Sequence, residues 1–224
     1  MVGYDNDPVY KNILLDLQFK EGSGVIAHDS AKPHHKNPTL QTNTTWAQLA
    51  NDKNVLDFAD INPSYVSITH ANSGDLGFTT GTFSVSFWLK PDVLDNWLIG
   101  KADGGNGWSV YLQGDGSIRY VSQAGFAPFN TDTKTGLISI GVWAFVTLVR
   151  VGLNIYMYVN GLQQNILTNT INSTAPAVLF TIGANGTGNQ RYDGQMADVR
   201  IWERELSKEH VRAIFESERG IMNV

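Results

Sequence analysis

The chain has 224 residues, 42% hydrophobic and 11% aromatic, which is ample material for a core in one large domain or two small ones. Its net charge of −5 and pI of about 5.4 argue against a nucleic-acid partner, which needs a basic stripe. It has no cysteine, which excludes disulfide scaffolds, thiol catalysis and zinc–thiolate sites, and no apolar run approaches the ~18 residues of a membrane span.

Residues 1–11 are polar and are expected to form an N-terminal arm, with residues 12–224 making a single domain. The stretch MVGYDNDPVYK has neither a basic n-region nor an apolar h-region, so no signal peptide is expected in it. Residues 12–19 (NILLDLQF) alternate as a strand, with Ile13, Leu15, Leu17 and Phe19 inward and Leu14, Asp16 and Gln18 on the other face. Residues 33–49 are polar, carry His34, His35 and Trp46, and yield no clear element. Residues 54–58 and 65–69 are expected to pair as strands around a DINPS turn. Residues 83–90 (FSVSFWLK) form the clearest strand, with Phe83, Val85, Phe87 and Leu89 on one face.

Residues 96–101 and 108–113 flank the Gly-rich loop ADGGNG, and the Gly-Asp-Gly turn at 114–116 leads into a strand over 117–123. Residues 143–150 and 154–159 form a further hairpin that closes on Asn160-Gly161. A strand over 178–182 precedes the loop GANGTGNQRYDG. In residues 191–202 (RYDGQMADVRIW), Met196, Asp198, Arg200 and Trp202 point one way and Ala197, Val199 and Ile201 the other. A helix over 207–218 follows, with Ser207 as N-cap, Glu209 in its first turn and Val211, Ile214 and Phe215 as its apolar stripe. About thirteen strands and one helix suit two packed sheets.

Several of these stretches resemble the laminin-G-like, concanavalin A-like lectin and glucanase jelly rolls. Asp198, Val199, Arg200, Ile201, Trp202, Arg204, Leu206 and Ser207 fit that family's closing strand-to-helix signature, although Met196 stands where Ile or Leu is usual. Glu21, Gly22, Ser23, Gly24, Asp29 and Ser30 match its opening, and FSVSFWLK with Pro91, Trp143 and YVNG match its middle. Residues 33–49 depart from the pattern, being longer and more polar. The resemblance implies an all-β, two-sheet antiparallel jelly-roll sandwich with one short C-terminal helix, its first and last strands side by side. Trp88 and Trp143 then fall at packing positions. The fold hosts lectins, glycosidases, adhesion modules and spacers, so function has to be argued from sites.

Glycoside hydrolysis needs two carboxylates about 5–10 Å apart across the scissile bond. The glucanase string Glu-x-Asp-x-x-Glu is missing, and no Glu occurs between Glu21 and Glu203. Glu203 and Glu205, at the strand-to-helix junction, read as solvated, so no catalytic residue is assigned. The five histidines, His28, His34, His35, His70 and His210, have no zinc-protease spacing, and no G-x-S-x-G elbow occurs. Asp16 and Asp198 are acidic residues inside apolar strands, which is costly unless they are paired or metal-bound. A structural calcium held by Asp16 and Asp198 is one expectation, as in many relatives, and an ion pair with Arg200 is the other. The sequons at Asn43, Asn172 and Asn185 are expected by chance in a chain rich in Asn and Thr.

Sugar rings stack on Trp or Tyr while Asn, Asp and Arg fix their hydroxyls. Two loops carry that mixture: Trp97, Asp103, Asn106 and Trp108 in one, and Asn185, Asn189, Arg191 and Tyr192 in the other. The competing reading is that Gly and Asn make plain turns and that most of the Trp residues are core. The expected function is a non-catalytic, lectin-like module of an extracellular or virion-surface protein that binds a glycan or cell-surface ligand, without nucleic acid or membrane insertion, within a larger assembly. The alternative is a structural or protein-adhesion domain of a phage tail, capsid or bacterial surface protein.

Overall fold

Short runs of alternating apolar residues, broken by glycine and asparagine turns, fold as fifteen strands and one α-helix among the described residues of the computed structural model (8–32, 35–125, 127–167, 170–185 and 190–223). In chain order the strands are β1 (Ile13–Leu17), β2 (Thr39–Leu40), β3 (Thr44–Gln48), β4 (Asn54–Phe58), β5 (Val66–Ile68), β6 (Phe83–Pro91), β7 (Asn96–Ala102) and β8 (Gly107–Leu112). Then come β9 (Ile118–Ala124), β10 (Ala127–Asp132), β11 (Ala144–Val151), β12 (Asn154–Val159), β13 (Leu162–Leu167), β14 (Phe180–Ile182) and β15 (Gly194–Trp202), before helix α1 (Lys208–Met222).

An eight-stranded antiparallel sheet runs β13-β12-β11-β6-β15-β4-β3, with β1 also paired to β15. A seven-stranded antiparallel sheet runs β10-β9-β8-β7-β14-β5-β2. Between them, Phe83, Val85, Phe87 and Leu89 of β6 join Trp108, Val110 and Leu112 of β8 in one core. This is the expected two-sheet jelly-roll sandwich, and β1 and β15 lie side by side as the family resemblance implied.

The eight-stranded sheet is also covered on its outer face. Helix α1 lays Val211, Ile214, Phe215 and Met222 onto Trp88, Phe145 and Trp202. Phe215 stacks on Trp88 with centroids 5.8 Å apart. Burial of this kind contributes about 1.5–3 kcal/mol per large side chain. Ser207 caps the helix, its Oγ accepting from the His210 N–H at 3.3 Å. The helix runs four residues past the expected 218, because Met222 falls again on the apolar stripe. It stops at Asn223, which adopts a left-handed φ of 58°.

Several expectations need correction. β15 does not alternate uniformly: Asp198, at φ 48°, sits in a bulge between Ala197 and Arg200, so Met196, Val199 and Ile201 all face the inter-sheet core while Ala197 and Trp202 face the helix. A similar irregularity between Ile13 and Leu15 turns Ile13 to the outer layer. β4 and β5 do not pair; they lie in facing sheets, because the segment between them crosses the edge of the sandwich. Residues 33–49, left without an element, contain β2 and β3, and β10 and β13 were also not foreseen. The second half of the N-terminal arm is a 3-10 turn over Pro8–Tyr10, tied down where Trp202 Nε1 donates to the Val9 carbonyl at 2.7 Å.

Candidate functional site

On the outer face of the seven-stranded sheet the side chains that alternate away from the core line a groove of about 400 Å³. Along β8, Val110 and Leu112 point inward, so Ser109 and Tyr111 point out; along β9, Ile118 and Tyr120 point inward, so Arg119, Val121 and Gln123 point out. Trp97 of β7 stands opposite Tyr111, with ring centroids 6.4 Å apart at 89°. The Tyr111 hydroxyl donates to Asp95, 3.0 Å from its carbonyl and 3.1 Å from Oδ1. Burial, then this hydrogen bond, pushes the Tyr111 phenol up to about 12, so at neutral pH it keeps its proton and remains a donor. Arg119 is clamped by Asp132 through Nε–Oδ1 at 2.7 Å and Nη2–Oδ2 at 2.9 Å. Four carboxamides, Gln113, Gln123, Asn130 and Gln190, complete the polar lining.

The two loops singled out in the sequence meet beside this groove. A smaller hollow of about 90 Å³ is lined by Trp97, Asp103, Gly104, Asn185 and Gln190, because β7 and β14 are neighbours. Within it Asp103 is an organiser of its own turn, its Oδ1 accepting from the N–H of Gly105 at 2.8 Å and of Asn106 at 2.7 Å. Asn106 Oδ1 accepts from Gly125 N–H at 3.0 Å, tying that turn to the end of β9. Arg191 leans away to Asp60, 3.2 Å distant. Asn189 lies outside the described residues, as does His34.

Two of the eight predicted sugar contacts are core residues. Trp108 is fully buried, its Nε1 donating to the Leu76 carbonyl at 2.8 Å. Tyr192 is equally buried, set edge-on to Phe58 at 5.8 Å, its hydroxyl donating to the Gln195 carbonyl. Both fill the space between the sheets and present no face to a ligand. Tyr111, Arg119, Gln123 and Asn130 lie within strands β8, β9 and β10 and not in the two loops expected to carry the site. The available signal was the alternation in GWSVYL and IRYVSQA, which puts a polar-aromatic row on one face of two neighbouring strands.

A second polar centre lies under α1. Asp16 and Arg200 are direct cross-strand partners in the β1–β15 ladder. Arg200 Nε reaches Asp16 Oδ1 at 3.1 Å, Nη1 reaches Glu218 Oε1 at 2.8 Å, and Nη2 lies 3.8 Å from Asp198 Oδ1. Lys53 Nζ holds Asp198 Oδ1 at 2.9 Å, and Trp88 Nε1 donates to Glu218 Oε2 at 2.8 Å. Burial by itself would weaken the Arg200 proton affinity, but the charges of Glu218, Asp198 and Asp16 outweigh it and raise it well above the usual range. Glu218 is raised chiefly by its own burial, with Arg200 pulling the other way.

So placed, Asp16 and Asp198 do not fit a calcium ion, since the guanidinium stands between them and Lys53 holds the same Asp198 Oδ1 that faces it. No group of three His, Asp or Glu side chains among the described residues is arranged to hold a metal. Thermal melts in excess EDTA and in millimolar calcium are therefore expected to coincide. A bound ion at a hundredfold excess over its Kd would raise the melt by about 5–10 °C in a domain of this size. Such a shift, lost in Asp198→Ala, would restore the metal.

A family model described as the concanavalin A-like lectin/glucanases superfamily matches residues 62–212. Among solved structures, the binding domain of Paraclostridial Mosquitocidal Protein 1 superposes with a TM-score of 0.76 at 16% identity, covering 93% of this chain and 53% of that one. Domain 4 of an extracellular arabinanase from Geobacillus stearothermophilus, solved in complex with arabinotriose, gives 0.69 at 18% identity, covering 91% and 98%. The binding domain of botulinum neurotoxin DC, solved with rat synaptotagmin II, gives 0.63 at 14% identity, covering 93% and 52%. At these identities the likeness is one of fold. The chain spans about half the length of the toxin binding domains it matches. No helix among the described residues is long and apolar enough to cross a membrane.

Proposed function

The chain belongs to the concanavalin A-like lectin/glucanase superfamily, and from that premise we propose that it is a non-catalytic glycan-binding module, working at an extracellular or virion surface, whose binding site is the groove on its seven-stranded sheet. The observation that carries this reading is the pairing of Trp97 and Tyr111 on a rigid ladder beside four carboxamides. Aromatic faces cover the apolar side of a sugar ring, and amides match hydroxyls because each offers both a donor and an acceptor. The similarity to an arabinanase domain solved with arabinotriose supports it. Catalysis is disfavoured by the same lining. Asp95 is the one carboxylate among the described lining residues and is engaged by Tyr111, whereas hydrolysis needs two. Glu203 and Glu205 are exposed at the junction before α1.

A glycan array probed with the purified chain tests the proposal. Binding to a defined set of glycans, competed by the same free sugars, is expected; silence across the array would count against it. Release of reducing ends from a bound polysaccharide would overturn the non-catalytic part. A second reading, a protein-adhesion or structural domain, is favoured by the edge strand β13. Its sequence LQQNIL has no charge and no proline, whereas edge strand β10 carries Pro128 and Asp132. Unguarded edges pair with other chains.

A further inference from the structure

Taking the groove as a glycan site, we propose that it selects neutral over acidic chains, and that Trp97 Nε1 and Ser109 Oγ receive hydroxyls of a single sugar ring at its floor.

The charge of the groove is already spent internally. Arg119 is its one cationic lining residue among those described, and Asp132 holds it in a bidentate pair. An acidic sugar would have to compete with that carboxylate for the guanidinium. It would also approach a chain of net charge −5. The remaining polar groups, Gln113, Gln123, Asn130 and Gln190, are uncharged.

The floor carries two hydrogen-bonding atoms with nothing to bond. Trp97 Nε1 and Ser109 Oγ are both buried and have no partner, although both residues line the groove. Buried polar atoms are normally satisfied, so an unpaired donor and an unpaired hydroxyl in a ligand-sized groove point to a partner that arrives from outside. Their placement is set by the ladder. Trp97 lies opposite Tyr111, and Ser109 lies two residues along β8 on the same face, so the two are diagonal neighbours across the bulge between Trp97 and Ile99. Opposite Ser109 stands Gly100, where a Cβ would come 2.8 Å from the Ser109 Cβ. It would also come 2.5 Å from the Trp108 carbonyl, so glycine is what lets β7 and β8 approach this closely at the floor.

Binding is to be measured by affinity electrophoresis on linear arabinan, xylan, β-glucan and galactan as neutral chains and on polygalacturonate and heparin as acidic ones, at about 50 and about 500 mM NaCl. Retention by a neutral chain, unchanged by salt, is expected. Ser109→Ala should weaken that retention about tenfold while leaving the melting temperature unchanged or slightly raised, because an unpartnered buried hydroxyl is removed. Trp97→Phe should weaken it likewise. Stronger, salt-sensitive retention by polygalacturonate or heparin, abolished by Tyr111→Ala, would overturn the neutral preference and leave the groove standing. Unchanged affinity together with a lowered melt in Ser109→Ala would make the hydroxyl structural and overturn the floor contact. No retention by either class, or retention that survives Tyr111→Ala, would overturn both this inference and the groove itself.

Discussion

Tyr111→Ala is expected to lower glycan affinity about thirtyfold or more, the ~2 kcal/mol typical of truncating a central aromatic anchor. The ring is half-buried on the outer face of β8, and its removal opens no cavity between the sheets. The chain should therefore keep its melting temperature to within a few degrees. Tyr111→Phe separates the two parts of the side chain. It keeps the wall opposite Trp97 and loses only the hydrogen bonds to Asp95. Near-parental binding by Tyr111→Phe, with loss in Tyr111→Ala, identifies stacking as the source of affinity. If the alanine variant binds as tightly as the parent, the ligand lies elsewhere on the molecule.

The second large effect is one of stability. Arg200→Met should destabilise the fold by about 3–5 kcal/mol, because it removes the guanidinium that Asp16, Asp198 and Glu218 share beneath α1. In a domain of this size that is about 6–20 °C in melting temperature. Urea titration gives the same quantity as a fall in midpoint at constant slope. The deficit should depend on pH in a definite direction. Glu218 is raised in the folded state, chiefly by burial, and loss of Arg200 removes the main opposing charge. A carboxyl raised on folding favours the fold while protonated, so its contribution is present below the unfolded value of about 4.3 and is lost as pH rises through the folded one. The variant should therefore be closer to the parent at pH near 5 than at pH near 8. Adding Asp16→Asn should recover part of the loss. A change of less than about 0.5 kcal/mol at every pH would mean the ion network holds nothing together.

Much of the fold was legible because it depends on local patterns. FSVSFWLK alternates, its four inward residues are apolar, and they are core residues in the sandwich. The helix announced itself by Ser207, Glu209 and the stripe of Val211, Ile214 and Phe215. Asp16 and Asp198 were conspicuous as carboxylates in apolar strands, and both sit at the one place where the chain's ends meet. For the strand and the helix the cause lies within a few residues of the effect.

The binding groove was legible only in part. Trp97, Asp103 and Asn185 come together as neighbours, although nothing local says that residues so far apart in the chain adjoin. Trp97 and Trp108 looked alike in sequence, each flanking a glycine loop. One lines the groove and the other fills the core, and the difference is the parity each has in its own strand. A bulge between Trp97 and Ile99 shifts that parity partway along β7.

Composition and alternation determined an all-β chain with its closing strand and helix, and the family resemblance implied the jelly roll. Only the tertiary structure decided which sheet face each residue serves. Alternation says that a strand has two faces, not what covers them. The eight-stranded sheet is buried on both sides, by the other sheet and by α1, so apolar residues occur at both parities and the pattern loses its meaning there. At Asp198 one residue in a left-handed conformation reverses the parity of everything after it, and the side chains that pair with Asp198 and Arg200, Lys53 and Glu218, lie 145 residues before the one and 18 after the other.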